Sequence, residues 1–274
     1  MYFVYRIQVG LQYKWNWQAI PQYLFRFDAE RNRWVSNLLA QGLLTTIRLS
    51  FWGTILACVF GSIMGLCRIS RTLFKRLIGR TYVELCRNLP PLVIIFLFYY
   101  FVSDQIMPVL GVDEFIRSRS GNIQRIFTIL FAPPEMFTIF LSAVITLAIF
   151  EGAYIAEIVR AGIQSIEREQ WEAASALGMS RWQLLQHVVL PQAIQRILPP
   201  LAGQFISTIK DSAIVSVISI QELTFQGMEI MAATYMTFEI WITISILYLI
   251  LTLTCSLIVS RLEVSLNKNR YQTG

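Results

Sequence analysis

The sequence predicts an all-α, polytopic membrane bundle of about five transmembrane helices. Three observations lead there. Hydrophobic residues fill 55% of the 274 positions and charged residues only 15%, where a soluble domain carries about 25% charged residues. The apolar residues gather into runs long enough to cross a hydrocarbon core, which takes about 20 residues of helix. Basic residues cluster between those runs, as they do in the cytoplasmic loops of membrane proteins.

Four runs are clear and one is broken. Residues 49–67, 88–103, 136–150 and 240–260 carry no charge. The second is expected to begin within residues 82–87, and the third to continue past Glu151. The broken run covers residues 197–209, then Lys210 and Asp211, then residues 212–220. Gly53, Ala57, Gly61 and Gly65 repeat every fourth residue in the first run. They form a small-residue face on which another helix can approach closely in lipid.

Direction follows from Lys and Arg. Arg68, Arg71, Lys75, Arg76, Arg80 and Arg87 stand between the first two runs against the single acid Glu84, so that loop is expected in the cytoplasm. Alternation places 104–135 outside, 162–191 inside and the tail, with Arg261, Lys268 and Arg270, inside. The N-terminus then lies outside. Arg6, Lys14, Arg26, Arg31 and Arg33 sit there against the rule, and the denser loop decides. The expected organisation is a 1–37 interfacial segment, a 38–266 transmembrane domain and a 267–274 tail. Aromatics of the first segment (Tyr2, Phe3, Tyr5, Tyr13, Trp15, Trp17) suit a membrane interface. The long loop 104–135, with Asp113, Glu114, Arg117, Arg119 and Arg125, is either a small folded cap or docking surface, or an unconstrained insertion.

Composition also excludes classes. The net charge of +6 comes from residues flanking apolar runs, not from a basic stripe for nucleic acid. Cys58, Cys67, Cys86 and Cys255 form no CxxC pair and read as free thiols, with Cys86 in the basic loop. The single histidine, His187, leaves no multi-histidine metal site and reads as a surface residue. No GxxxxGK[ST] loop or other phosphate cradle is present, so ATP chemistry would require a partner and no cofactor is expected in this chain.

The most informative stretch is Glu172-Ala-Ala-Ser-Ala-Leu-Gly178-Met-Ser-Arg-Trp-Gln-Leu-Leu-Gln-His-Val188-Val-Leu190-Pro191. Strong helix formers fill 169–177, and Gly178 suits the left-handed stop after them. Ser180 with Gln183 makes a capping box for a second helix, expected to end before Pro191. This helix–turn–helix resembles the EAA loop of inner-membrane permeases of ABC importers: E-A-A, three residues, G, nine residues, I, one residue, L-P. Only Val188, in place of Ile, departs from it. Glu84-Leu-Cys-Arg-Asn-Leu-Pro-Pro91, Gly152-Ala-Tyr-Ile-Ala-Glu-Ile-Val-Arg160, Pro191-Gln-Ala193 and Lys210-Asp-Ser-Ala213 are similar to the polar-amino-acid branch of that family. The resemblance covers roughly residues 41–262.

The resemblance implies a permease fold of type I ABC importers. Glu172, Ala173, Ala174, Gly178, Leu190 and Pro191 would form the element that docks on a cytoplasmic ABC ATPase dimer, which would bind the ATP and Mg. It also implies a second permease subunit, an external or periplasmic amino-acid-binding protein, an amino acid substrate and a bacterial inner-membrane location among lipid.

Charges inside spans are costly and mark candidate pathways. Glu151 lies ~22 Å along a helix from Met136, past the centre of a ~30 Å core. Glu151, Tyr154 and Glu157 recur at i+3 on one face, and Glu157 can pair with Arg160. They read as a polar stripe beside the pathway, or alternatively as a salt bridge closing the span. Lys210 and Asp211, with Ser212 next, imply a helix break at a gate or substrate site, or else separate ion pairs to neighbouring helices. The competing function is a secondary amino acid transporter driven by an ion gradient, disfavoured by the lack of visible repeated halves.

Overall fold

The structure is a computed structural model that describes residues 13–30, 32–118 and 121–271, the side chains of 113, 117 and 262–271 excepted. Tyr2, Phe3, Tyr5, Arg6, Arg31 and Arg119, and the side chains of Asp113, Arg117, Lys268 and Arg270, lie outside what is described.

A short helix α1 (Ile20–Leu24) and an antiparallel hairpin, β1 (Phe25–Asp28) with β2 (Arg33–Ser36), lead into α2 (Leu38–Arg68). Next come α3 (Leu73–Asn88) and α4 (Pro91–Phe101), which passes through a π turn (Val102–Ile106) into α5 (Met107–Leu110). Two helices, α6 (Val112–Arg117) and α7 (Gly121–Leu130), precede α8 (Phe137–Gln164). Helices α9 (Arg168–Ala176) and α10 (Arg181–Leu184) lead by a π turn (Leu185–Val189) into α11 (Leu190–Asp211) and a 3₁₀ segment (Ser212–Ile218). Helices α12 (Leu223–Thr234) and α13 (Thr237–Tyr271) complete the chain. Among the described residues, five helical segments are long and apolar enough to cross a membrane: Leu38–Arg68, Pro91–Leu110, Pro134–Gln164, Arg181–Ile218 and Thr237–Arg261.

The bundle is organised by α8, whose spanning window is the most buried of the five. The small-residue face of α2 packs along it. A Cβ on Gly61 would lie 2.6 Å from the carbonyl oxygen of Gly152, and one on Gly65 2.8 Å from that of Ala156. Glycine is required at both because backbone meets backbone there, which maximises dispersion contact where no hydrophobic drive exists between helices.

Three expectations are corrected. Residues 82–87 do not begin the second span. They end α3, an amphipathic helix with Gly79, Val83 and Cys86 buried. Its chain turns extended at Leu89 and Pro90, and Pro91 starts the span at the first helical position, where its missing N–H costs nothing. Cys86 is therefore a buried helical residue, not a loop thiol. Second, Pro191 does not end the second helix of the motif-bearing loop. The preceding π turn displaces the hydrogen-bond register, and the helix continues unbroken into the fourth span. Third, the second span extends to Leu110, so the connection begins later than residue 104.

That connection is helical and folded against α2. Trp52 Nε1 donates to the Leu130 carbonyl at 2.9 Å, and its ring stacks on Phe131 at 4.6 Å.

Candidate functional site

The loop between the third and fourth spans is built from its own local chemistry. Helix α9 ends at Gly178, whose φ of +77° is a left-handed conformation that a side chain disfavours. The Ser180–Gln183 capping box forms in both directions, at 2.9 Å and 3.4 Å. Ala174, Leu184, Val189 and Ala193 pack inward on Ile163 and Ile166, at the end of the third span. The two alanines thus face opposite ways: Ala174 is buried, while Ala173, Leu177 and Gly178 are exposed. Leu177 is 79% exposed, an apolar tip with none of the described residues over it. Glu172 pairs with Arg168 at 2.8 Å on the surface. Leu190 is half-buried and Pro191 exposed at the start of α11.

The membrane charges separate into two groups. Glu151 is fully buried and accepts from Gln204 Nε2 at 2.6 Å, while its Oε1 has no hydrogen-bond partner among the described residues. Asp211, half-buried on α11, stands close to Glu151. Tyr154 stands nearby with the Arg87 guanidinium over its ring, 5.6 Å from the centroid. Glu151, Tyr154 and Asp211 are therefore brought together. Ser212 is buried, donating back to the Ile209 carbonyl at 2.8 Å. Its neighbour Lys210 is exposed and carries no salt bridge among the described residues. At that point the α-helix tightens into 3₁₀ turns instead of breaking.

Glu157 belongs elsewhere. One carboxylate oxygen meets Arg68 at the end of the first span, and the other accepts from Arg160 Nε at 3.0 Å. It clamps the first span to the third.

Sequence reading overlooked several contributors. Gln204 satisfies half of Glu151, yet an amide among apolar residues gives no signal by itself. Glu222 is fully buried, capping α12 through the Thr224 and Phe225 amides at 2.9 and 2.8 Å and accepting from Tyr248 at 2.8 Å. Burial pushes its carboxyl above the usual carboxylate range, and those donors hold it back. Glu239, in the first turn of α13, accepts from Tyr13 and from the Asn16 amide at 2.6 Å, which anchors the N-terminal segment. An acid in a helix's first turn is a legible signal.

Comparison with known proteins settles the family. A family model described as the inner membrane component of binding-protein-dependent transport systems matches residues 40–269. The chain belongs to this family. A glutamine transport system permease protein of Escherichia coli strain K12 is 33% identical to this permease over 255 residues, 92% of this chain and 97% of that protein. A probable glutamine ABC transporter permease protein of Bacillus subtilis strain 168 is 33% identical over 213 residues, 77% and 85% of the two. In a crystal structure of an amino acid ABC transporter with histidines, one chain matches at a TM-score of 0.69 and 31% identity, over 92% of this permease and 100% of that chain. The resemblance read from the EAA-like loop is thus borne out, and the ion-gradient alternative finds no support. The permease is a multi-pass membrane component of an ABC importer, a transport component for which the family implies ATPase and binding-protein partners.

Proposed function

We propose that this permease lines the pathway of an ATP-driven importer for polar amino acids in a bacterial inner membrane, with its N-terminus outside and its C-terminus in the cytoplasm. A separate ATPase dimer binds ATP and Mg and docks on the α9–Gly178–α10 tip through Ala173 and Leu177. A second permease, a copy or a sister chain, closes the pathway, and an external binding protein delivers substrate.

The carrying observation is the mechanical continuity of the loop. Its exposed tip rests on Ala174, Leu184 and Val189, which pack on the end of the third span, and α10 runs without interruption into the fourth. A push on Leu177 therefore moves both spans, and those two spans carry Glu151, Tyr154 and Asp211. The substrate class is supported by the glutamine and histidine named for the similar proteins. A zwitterion leaving water needs fixed partners of both signs. Glu151 and Asp211 supply acids, and Arg87 and Lys210 supply cations.

The test replaces Glu151 with Gln, which keeps the shape and an acceptor for Gln204. Complex assembly and ATPase docking stay intact, while binding-protein-dependent uptake of glutamine or histidine falls at least about tenfold, on the order of 1.4 kcal/mol. Uptake equal to wild type for every amino acid tried removes Glu151 from the pathway.

A further inference from the structure

Beside the coupling loop lies a cavity of about 870 Å³ that the transport reading does not use. It opens where α2 ends, α3 begins and α9 and α10 come back to the membrane. Ala173, Leu177 and Gly178 do not line it. Arg68, Arg71, Lys75, Arg76, Arg168 and Arg181 are among the residues that line it, and no acidic residue is. Two of these cations have carboxylates of their own, Arg68 with Glu157 and Arg168 with Glu172. Among the described residues, no salt bridge reaches Arg71, Lys75, Arg76 or Arg181. Arg71 and Arg181 are close enough to repel each other. Four like charges gathered around a concave space, without a salt bridge to any described carboxylate, raise the potential inside it and favour an anion there.

The rest of the lining says where that anion resides. Leu66 belongs to the exposed last turn of the first span, Ile163 and Ile166 lie at the end of the third, and Trp171 and Trp182 line the cavity with them. Span ends, tryptophan and arginine together mark the level of the lipid headgroups. Basic pockets between helices at that level suit phosphorylated headgroups. Arginine's fork of donors matches phosphate oxygens two at a time.

We infer that this cavity binds a phosphate group between Arg71 and Arg181, carried by an anionic phospholipid or present as free phosphate. Occupancy removes the repulsion between the two arginines and ties the start of α3 to the coupling loop.

The test uses the full-length permease in detergent, alone and co-purified with its ATPase. It is titrated with phosphatidylglycerol, phosphatidylcholine and inorganic phosphate, and bound molecules are counted by native mass spectrometry. Wild type retains one phosphatidylglycerol more than the Arg71→Gln/Arg181→Gln double variant, which binds it at least tenfold more weakly. Phosphatidylcholine shows no such difference. The Arg71→Lys/Arg181→Lys form keeps the charge and retains part of the binding. Phosphate that binds wild type without lipid, and is lost in the Gln variant, assigns the site to the free ion. If the double variant does not assemble, Arg181→Gln alone reads the same difference. Equal binding of both anions by wild type and variants overturns the inference. So does loss of the ATPase from the Gln variant with anion binding unchanged, because the arginines then serve acidic side chains of the partner.

Discussion

Glu157 illustrates how a residue's role is decided by the helix opposite it. Its spacing from Glu151 and Tyr154 puts all three on one helical face, and the sequence gives no way to see Arg68 arriving from the first span. With Arg68 and Arg160 both on one carboxylate, exchanging Glu157 and Arg160 together places an arginine against Arg68. The Glu157→Arg/Arg160→Glu double variant is therefore expected not to recover uptake, whereas a simple two-residue staple would be rescued fully. Uptake beside the two single variants distinguishes them. The same scale separates Ala173 from Ala174, which are identical in the motif but not in space. Ala173→Trp adds bulk to an exposed docking face, so it is expected to lower ATPase association at least tenfold while leaving membrane insertion unchanged. Ala174→Leu overfills the loop interior and costs about 1–3 kcal/mol of stability. Co-purification of the ATPase and thermal unfolding in detergent check the pair.

At the scale of elements, the local signals that could be read were those that act within a few residues. The stop at Gly178 and the Ser180–Gln183 box stand where the motif places them. The four-residue stripe from Gly53 to Gly65 faces α8 with no room to spare. Gly61→Leu is expected to destabilise the assembled bundle by several kcal/mol, because the added atoms meet the fixed Gly152 carbonyl as well as the branched Ile155 side chain. A clear drop in melting temperature in detergent tests this, and an unchanged one contradicts the packing. Elsewhere a strong local rule was overridden. Proline disfavours helix continuation, yet the π turn before Pro191 carries the chain through it, and Pro199 and Pro200 also lie inside α11. Helix α3 was hidden for another reason: its basic residues dominate the composition, and only the spacing of Gly79, Val83 and Cys86 betrays a buried face. Helix α12 depends on Glu222 meeting Thr46 and Tyr248 from two distant helices, which no local pattern reports.

For the whole molecule, the span count and the motif-bearing loop were legible, while the pairing of charges across spans was not, because that is a property of the folded bundle. The two ends are chemically distinct. The coupling loop shares its end with Arg71, Lys75 and Arg76. At the other, Glu239 holds the N-terminal segment, and Ser36 and Gln41 share a cavity with Thr128 and Phe131. A cysteine introduced at the exposed Ser118 is expected to react with an impermeant reagent in intact cells, and one at Lys75 only after lysis. The reverse pattern would invert the orientation.

The most direct measurement is uptake by the purified permease, its ATPase and its binding protein in sealed vesicles, with radiolabelled glutamine or histidine and ATP on the loop side. Accumulation is expected to require ATP, to continue after ion gradients are collapsed, and to fall at least tenfold with Ala173→Trp while the permease remains inserted. Accumulation without ATP under an imposed ion gradient, or uptake indifferent to Ala173→Trp, would contradict the account.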